Sequence, residues 1–519
     1  MRWEIPAEPT EAEAKFVARF KRGSKFFAFL WEIRGRLFSP EFQDELIAGF
    51  DRQRGDNVPP AMLAMTWLLQ AYTQASDRDA VENAVYDARW QLVLGIRGTE
   101  EAPFGQGSLP RFRARLVRHD LDRRLVDRTV ELARETGLFG DRNLRGVLDS
   151  SPLRGAGRVE DTWNLIGRAM RNLVEAVANA NGEEPTTLIA ELCLSTMGDA
   201  SLKATLDIDW ADEGARVAAF QRLVDEANRL SEWVRERRDL AQTRTKVESA
   251  MEDLSAVLRQ DTEPDPDRPG TRIRQGVATD RMPSLGDKEM RHGRKSQSFK
   301  FTGYKRFFIV MGERLIAGAL AQPANLPESD ATATLVDDLK RHGEVVGLDF
   351  DRGFLASPTI PKLREEGVEI RCKPWRHRNG SYFPKEAFIL DLARDQATCP
   401  AKQTVPLKTS NGGARKACWG ATCVDCTLRS ACTTAKQGRT VQVHPFEEFH
   451  QELRMAQATP EGRAALRERV TVEHALARLQ LLQGSQARYK GTRKNTMDIR
   501  RYASLNNLIE IGRFLKQAA

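Results

Sequence analysis

The chain has 519 residues, 41% of them hydrophobic, enough to bury a large core distributed over about three or four structural units. Eighty Lys and Arg against 72 Asp and Glu leave a net charge of +8, which suits a nucleic-acid partner better than a membrane. The opening MRWEIPAEPTEAEAKF has no apolar signal core, and no apolar run approaches the length of a bilayer span, so no membrane association and a cytoplasmic, nucleoid-associated location are expected.

Residues 11–136 read as short amphipathic helices. PPAMLAMTWLLQAYTQ opens with Pro59 and Pro60, which a first helical turn tolerates. The next helix is capped by Ser76 with Asp79 three residues on, and is expected to run unbroken to Gly95. SLPRFRARLVRH, with Ser108 as its expected cap, carries Arg111, Arg113 and Arg115, which suit phosphate contact. The period then changes. RGVLDSSPL, 145–153, has the form of a buried strand carrying Asp149 and ended by Ser and Pro. Residues 162–260 are helical again, and Val217, Phe220, Val224, Ala227, Leu230 and Val234 keep a near-heptad rhythm that predicts a helical hairpin. QDTEPDPDRPGT, 260–271, reads as a linker closing this insertion.

After the linker, strands are expected at 299–312 and 314–324, a helix over ATATLVDDLKRHG, a strand at EVVGLDFDRGF, a helix at SPTIPKLREEG and a strand at VEIRCKPW. This order fits an RNase H-like fold opened by two insertions. Two-metal phosphodiester chemistry on such a fold needs clustered carboxylates that hold cations about 4 Å apart. Asp149, an Asp of the LDFD strand, and Glu473 on the late helix RERVTVEHALARLQ supply such a set. Arg469 stands one turn before Glu473, and Val472, Leu476 and Leu479 would bury the adjoining face of that helix. Alternation puts Asp349 and Asp351 on one face of their strand, so either could be the second acid.

Five of the seven cysteines, Cys399, Cys418, Cys423, Cys426 and Cys432, crowd one segment. In a reducing compartment this points to a structural Zn²⁺, with C423-V-D-C426 as its tight element and one thiol in excess of four seats. Two further basic stretches, 291–306 with Arg294, Lys295 and Lys305, and 487–502 with Arg488, Lys490, Arg493 and Lys494, interleave cations with aromatic residues as DNA-tracking surfaces do.

SDRDAVENAVYDARWQLVLGI (76–96), PFGQGSLPRFRARL (103–116), DRMPSLGDKEMRHGRKSQSFKFTGYKRFFIV (280–310), LDFDRGF and RERVTVEHALARLQ, in this order, resemble the DDE transposases of bacterial insertion sequences, and among them the group named IS-eleven-eighty-two. The chain departs from the wider class at Leu466 and Gln480, where a Tyr and a Lys often stand. Asp351 matches that family's Asp-x-Gly-aromatic pattern through Gly353 and Phe354, and so becomes the expected second ligand. The resemblance implies a transposase that binds the terminal inverted repeats of a mobile element and catalyses DNA cleavage and strand transfer into target DNA. It also implies two Mg²⁺ (or Mn²⁺) held by Asp149, Asp351 and Glu473 with Arg469 beside them, and a homodimer in the synaptic complex. The alternatives are a transposase-derived DNA-binding protein without cleavage activity and an RNase H-like nuclease.

The expected organisation is an all-helical DNA-binding domain (1–140), the first catalytic strand (141–154), a helical insertion and linker (155–271), the catalytic domain continued (272–375), a Cys-rich insertion (376–458), and a C-terminal helix with a basic tail (459–519).

Overall fold

The computed structural model describes residues 1–519 except 7–9, 51–57, 141, 199–200, 238–244, 313, 376–378, 410–414, 469 and 519, and the side chains of 470–474 and 518. The chain packs as two compact units: one formed by 1–140, 150–327 and 475–519, the other by 141–149 and 328–474.

In the first unit, the described residues of 11–135 carry the helices of this region and their connections. Pro60–Thr73 is buried from Pro60 to Ala71, as expected of a helix apolar on all sides. The Ser76–Asp79 capping box forms as read. The helix it opens does not run unbroken to Gly95: it stops at Tyr86 and restarts at Ala88. Asp87, in extended conformation between the two, accepts from the Arg89 N–H at 2.8 Å and pairs with the Arg89 guanidinium at 2.6 Å. Ser108 is the first residue of its helix rather than its cap, which is Gly107.

The C-terminal helix Thr492–Ala518 packs against Pro60–Thr73 and Leu121–Glu135. Its Tyr502, Leu505, Leu508 and Ile511 are buried, as are Arg500, Arg501 and Asn507. Burial of so many polar groups requires partners. Arg500 pairs with Asp120 at 2.7 Å and Asp122 at 3.0 Å, and Arg501 pairs with Asp498 at 2.5 Å. Much of the segment expected as a basic tail is therefore core.

Residues 162–261 form the helices Thr162–Asn181, Pro185–Glu191, Leu202–Leu206, Glu213–Glu236 and Thr245–Asp261 around their own core of Trp163, Ile166, Leu173, Phe220, Leu230 and Leu254. This is more than the expected hairpin.

Strand β1 (Asn143–Arg154) does not end at Ser150 but continues through Pro152. The expected linker instead forms a hairpin of β2 (Thr262–Pro264) and β3 (Thr271–Ile273), in which Glu263 and Arg272 neutralise each other at 2.8 Å. Next come β4 (Arg291–Arg294), β5 (Lys300–Met311) and β6 (Leu315–Pro323), antiparallel in that order. The last residues of β1 approach β5 closely enough that the Gly155 N–H donates to the Thr302 carbonyl at 2.9 Å. Gly303 (φ +147°) must be glycine at this crossing, because a Cβ there would overlap the Gly155 nitrogen.

In the second unit, the first half of β1 lies parallel to β7 (Glu344–Phe350), and β7 lies parallel to β8 (Glu369–Cys372). The helix Thr359–Glu365 makes the crossover that parallel pairing demands. The fold is thus mixed α/β with parallel and antiparallel strands. Residues 389–443 add an antiparallel sheet, β9 (Ile389–Asp391), β10 (Gln396–Thr398), β11 (Thr404–Thr409), β12 (Arg415–Cys418) and β13 (Thr440–Val443), in the order 13-12-11-10-9. Its core is small: Phe388, Ala397, Ala417, Trp419, Val441 and two cysteines. The helices Glu447–Ala458, Pro460–Glu468 and Val470–Gln483 follow. Among the described residues no helix is long and apolar enough to cross a membrane.

Candidate active site

The β1–β7 ladder runs from Asn143 opposite Glu344 to Val147 opposite Asp349. Asp149 and Asp351 each stand two residues beyond that last pair. The two-residue period of extended chain keeps them on the face that carries Val147 and Asp349. Asp149 is half-buried on β1, and Asp351 is exposed just past the end of β7. Both carboxylates thus lie just past the end of the paired β1–β7 ladder, Asp149 in mid-β1 and Asp351 beyond the end of β7.

The turn after Asp351 explains the Asp-x-Gly-aromatic spacing. Phe354 is fully buried and anchors the 3₁₀ turn Arg352–Phe354, and its N–H donates to the Asp351 carbonyl at 3.0 Å. Gly353 leaves room for Glu328, whose carboxylate a Cβ at 353 would strike. Glu328 is a half-buried acid beside this turn that the sequence did not single out, because it lies in a 3₁₀ segment with no periodic signal. The Arg352 Nε donates to the Pro374 carbonyl at 2.6 Å, and the Trp375 indole donates to the Arg352 carbonyl at 3.3 Å.

Asp349 is held differently. It is 4% exposed and ion-paired to Arg145 at 2.8 Å. Gly347 makes this possible, since a Cβ there would collide with the Arg145 guanidinium lying across it. Arg145 also bonds Glu369, which Arg371 meets at 2.8 Å while reaching Glu468 at 3.0 Å. Burial pushes the Asp349 carboxyl up, against the opposing pull of Arg145. Asp349 therefore serves the sheet, whereas Asp351 faces solvent beyond it.

Glu473 lies in the helix Val470–Gln483, but its side chain and that of Val472 are outside the described residues, as is all of Arg469. Of the apolar face expected on that helix, Leu479 is buried and Leu476 half-buried, with Ala475 buried beside them. The Arg371–Glu468 pair ties the preceding helix to β8 five residues before Glu473. In the other unit, buried Arg306 donates to the Ser151 hydroxyl at 2.7 Å and to Gln483 Oε1 at 2.7 Å. That contact clamps β1 just past Asp149 to the end of the same helix. Burial lowers the Arg306 pKa to about 10.

Trp375 is braced in turn by His450, stacked on it at 4.7 Å, and His444 meets His450 edge-on at 4.8 Å. Burial, then the neighbouring His444, lowers the His450 pKa to about 4. Its unfolded value is about 6.5, so the fold prefers the neutral ring. That contribution is present above pH 6.5 and is lost as pH falls from about 6.5 to about 4, by on the order of 2 kcal/mol. Urea unfolding at pH 7 and pH 5 should show the loss, and His450→Phe, which keeps the stack, should make it smaller. Equal pH dependence in both proteins would contradict the assignment.

The cations expected to meet DNA divide into two sets. Arg113 is bound bidentately by Asp77 at 2.6 and 2.7 Å, and Arg493 pairs with Asp122 at 2.5 Å, so both serve the interior of the first unit. Arg115 lies over the Phe50 ring at 4.6 Å, and Lys305 donates to the Leu326 carbonyl at 3.0 Å. Arg488 reaches Gln74 at 3.4 Å from an exposed position. Arg111, Arg294, Lys295, Lys490 and Lys494 are exposed. Arg294 and Lys295 sit at the β4–β5 hairpin, beside exposed Phe299.

The expected zinc cysteines also separate. Cys399, Cys423, Cys426 and Cys432 line one small cavity, while exposed Cys418 does not. Among the described residues no three His, Cys, Asp or Glu side chains already form a metal-holding group.

No curated protein and no solved structure matches the chain. Residues 398–511 match the family model described as a transposase DDE domain, a stretch that includes Glu473, and this match supports a DDE transposase.

Proposed function

We propose that the chain is a transposase of bacterial insertion sequences, resembling the group named IS-eleven-eighty-two, that binds the terminal inverted repeats of its element, cleaves there and joins the freed end to target DNA. The observation that carries this reading is the position of Asp149 and Asp351 on one face just past the end of the parallel β1–β7 ladder. The match over 398–511 adds the segment with the third acid, Glu473. An RNase H-like catalytic core is the fold reading that accompanies it.

Asp149, Asp351 and Glu473 would hold the Mg²⁺ or Mn²⁺ ions. The donor set suits such hard cations, which take carboxylate oxygens and retain water, and Asp351 is open to solvent. Bound there, the ions would compensate charge on the phosphate and favour the attacking oxyanion. The chain's own contribution is to fix the strand ends. Phe354 pins the turn that carries Asp351, and Arg145 keeps Asp349 within the sheet rather than at its open end.

Arg111, Arg294, Lys295, Lys490 and Lys494 would grip backbone phosphates, and a homodimer would hold two element ends together. Because Thr492–Ala518 packs into the helices of 1–140, the test uses the full chain. Gel shifts on labelled inverted-repeat DNA should show affinity falling steeply with salt. Changing Arg294 and Lys295 together to Ala should weaken binding to all sequences and reduce the log–log salt slope by about 2. An unchanged slope would remove this hairpin from the interface, and no cleavage of repeat-bearing DNA with Mg²⁺ or Mn²⁺ would overturn the enzymatic reading.

A further inference from the structure

The sheet β9–β13 has too small an apolar core to be held by burial alone, and two of its core residues are Cys423 and Cys432. Small units of this kind need a staple. Disulfides do not supply it, since all seven cysteines are free.

Three turns place four cysteines around one cavity. Cys399 follows β10, where its N–H donates to the Gln403 carbonyl at 2.9 Å and its own carbonyl accepts from Lys402 at 2.8 Å. Cys423 ends the 3₁₀ turn Gly420–Cys423, and Cys426 stands three residues on. Cys432 follows the next 3₁₀ turn, Arg429–Ala431. All four line a cavity of about 20 Å³, room for little more than one water-sized body.

Two cations adjoin the cavity. The Arg439 N–H donates to the Cys423 sulfur at 3.4 Å, and the Arg429 guanidinium, bonded to the Cys423 carbonyl at 2.7 Å, lines the same cavity. Arg439 lines it too. These two cations would offset the double negative charge of a tetrathiolate zinc centre.

Cys418 faces the other way. On β12 it alternates with buried Ala417, lies exposed, and its sulfur accepts from the Thr440 hydroxyl at 3.6 Å.

We propose that Cys399, Cys423, Cys426 and Cys432 bind one structural Zn²⁺ that locks the turns of the β9–β13 sheet, and that Cys418 takes no part. Four thiolates with no position left for water make a closed site, the mark of structural rather than catalytic zinc. Among the described residues no group is already placed to hold a metal, so the proposal requires these turns to draw inward on binding, with release of the thiol protons. The proposal is independent of the transposase reading.

The test is elemental analysis of the full-length chain purified without chelator. One zinc per chain is expected, retained in Cys418→Ser and lost in Cys399→Ser, Cys423→Ser, Cys426→Ser and Cys432→Ser. Should those four variants fail to fold, cobalt(II) exchange of the wild-type chain decides the matter. A tetrahedral tetrathiolate gives intense sulfur-to-cobalt charge-transfer and visible d–d bands. Folded wild-type protein without zinc, iron in its place, a disulfide among the four thiols, or zinc lost on changing Cys418 would each overturn the proposal.

Discussion

Glu473→Gln is expected to reduce DNA cleavage and strand transfer by about three orders of magnitude or more while end binding survives. The amide keeps the size and helix propensity of the side chain within Val470–Gln483 and removes only its charge. In the proposed site, uncompensated charge on the phosphate then raises the barrier, whereas the cations proposed to grip DNA are untouched. Asp149→Asn and Asp351→Asn should behave alike, since in the proposed site all three carboxylates serve one cluster. Double variants should be little worse than singles, as for residues that act as a unit. Mn²⁺, more tolerant of coordination geometry than Mg²⁺, should partly rescue the milder lesions. Cleavage and strand-transfer assays on labelled element ends, run beside gel shifts on the same preparations, supply both readouts. A Glu473→Gln protein that cuts at the wild-type rate would remove Glu473 from the site.

What the sequence disclosed followed from local periodicity, and what it concealed depended on partners far along the chain. The apolar run around Asp149 and the alternation of EVVGLDFD predicted β1 and β7, and both strands formed. Ser150 to Pro152 looked like a stop. Yet the β1–β7 ladder ends at Val147, so β7 does not require the missing Pro152 N–H, and the strand continues. Charged 260–271 looked unable to pack, but Glu263 and Arg272 face each other across a hairpin, and Asp265 meets Arg268 at 3.1 Å. Within the basic 487–502 stretch, Arg493 and Arg500 are likewise taken up by acids, while Lys490 and Lys494 stay exposed. Those acids, Asp120 and Asp122, lie more than 370 residues away in sequence and could not be matched to Arg493 and Arg500 by spacing. The cysteine spacing gave five candidates for four seats, and strand alternation at Ala417 and Cys418, visible only once β12 is in register with β13, turns the fifth outward.

The choice between Asp349 and Asp351 rests on Arg145, 204 residues from Asp349. Arg145→Met should leave a carboxylate that is 4% exposed without its guanidinium, while Glu369 keeps its contact with Arg371. Stranding one partner of a buried pair costs about 3 kcal/mol or more at neutral pH. The pH dependence has a definite sign. Burial already places the folded Asp349 carboxyl above its ordinary value, and removing Arg145 raises it further. A carboxyl raised by folding destabilises the fold as pH rises through the folded value and costs nothing below the unfolded value. The deficit of Arg145→Met should therefore be largest near pH 7.5 and shrink toward pH 5. Adding Asp349→Leu to Arg145→Met should recover much of the loss by removing the stranded charge. Asp349→Asn alone leaves Arg145 its bond to Glu369 and should keep cleavage within about tenfold of wild type. Urea unfolding at the two pH values, paired with cleavage assays, separates the two roles. An inactive Asp349→Asn beside an active Asp351→Asn would move the second metal ligand two residues upstream, into the sheet.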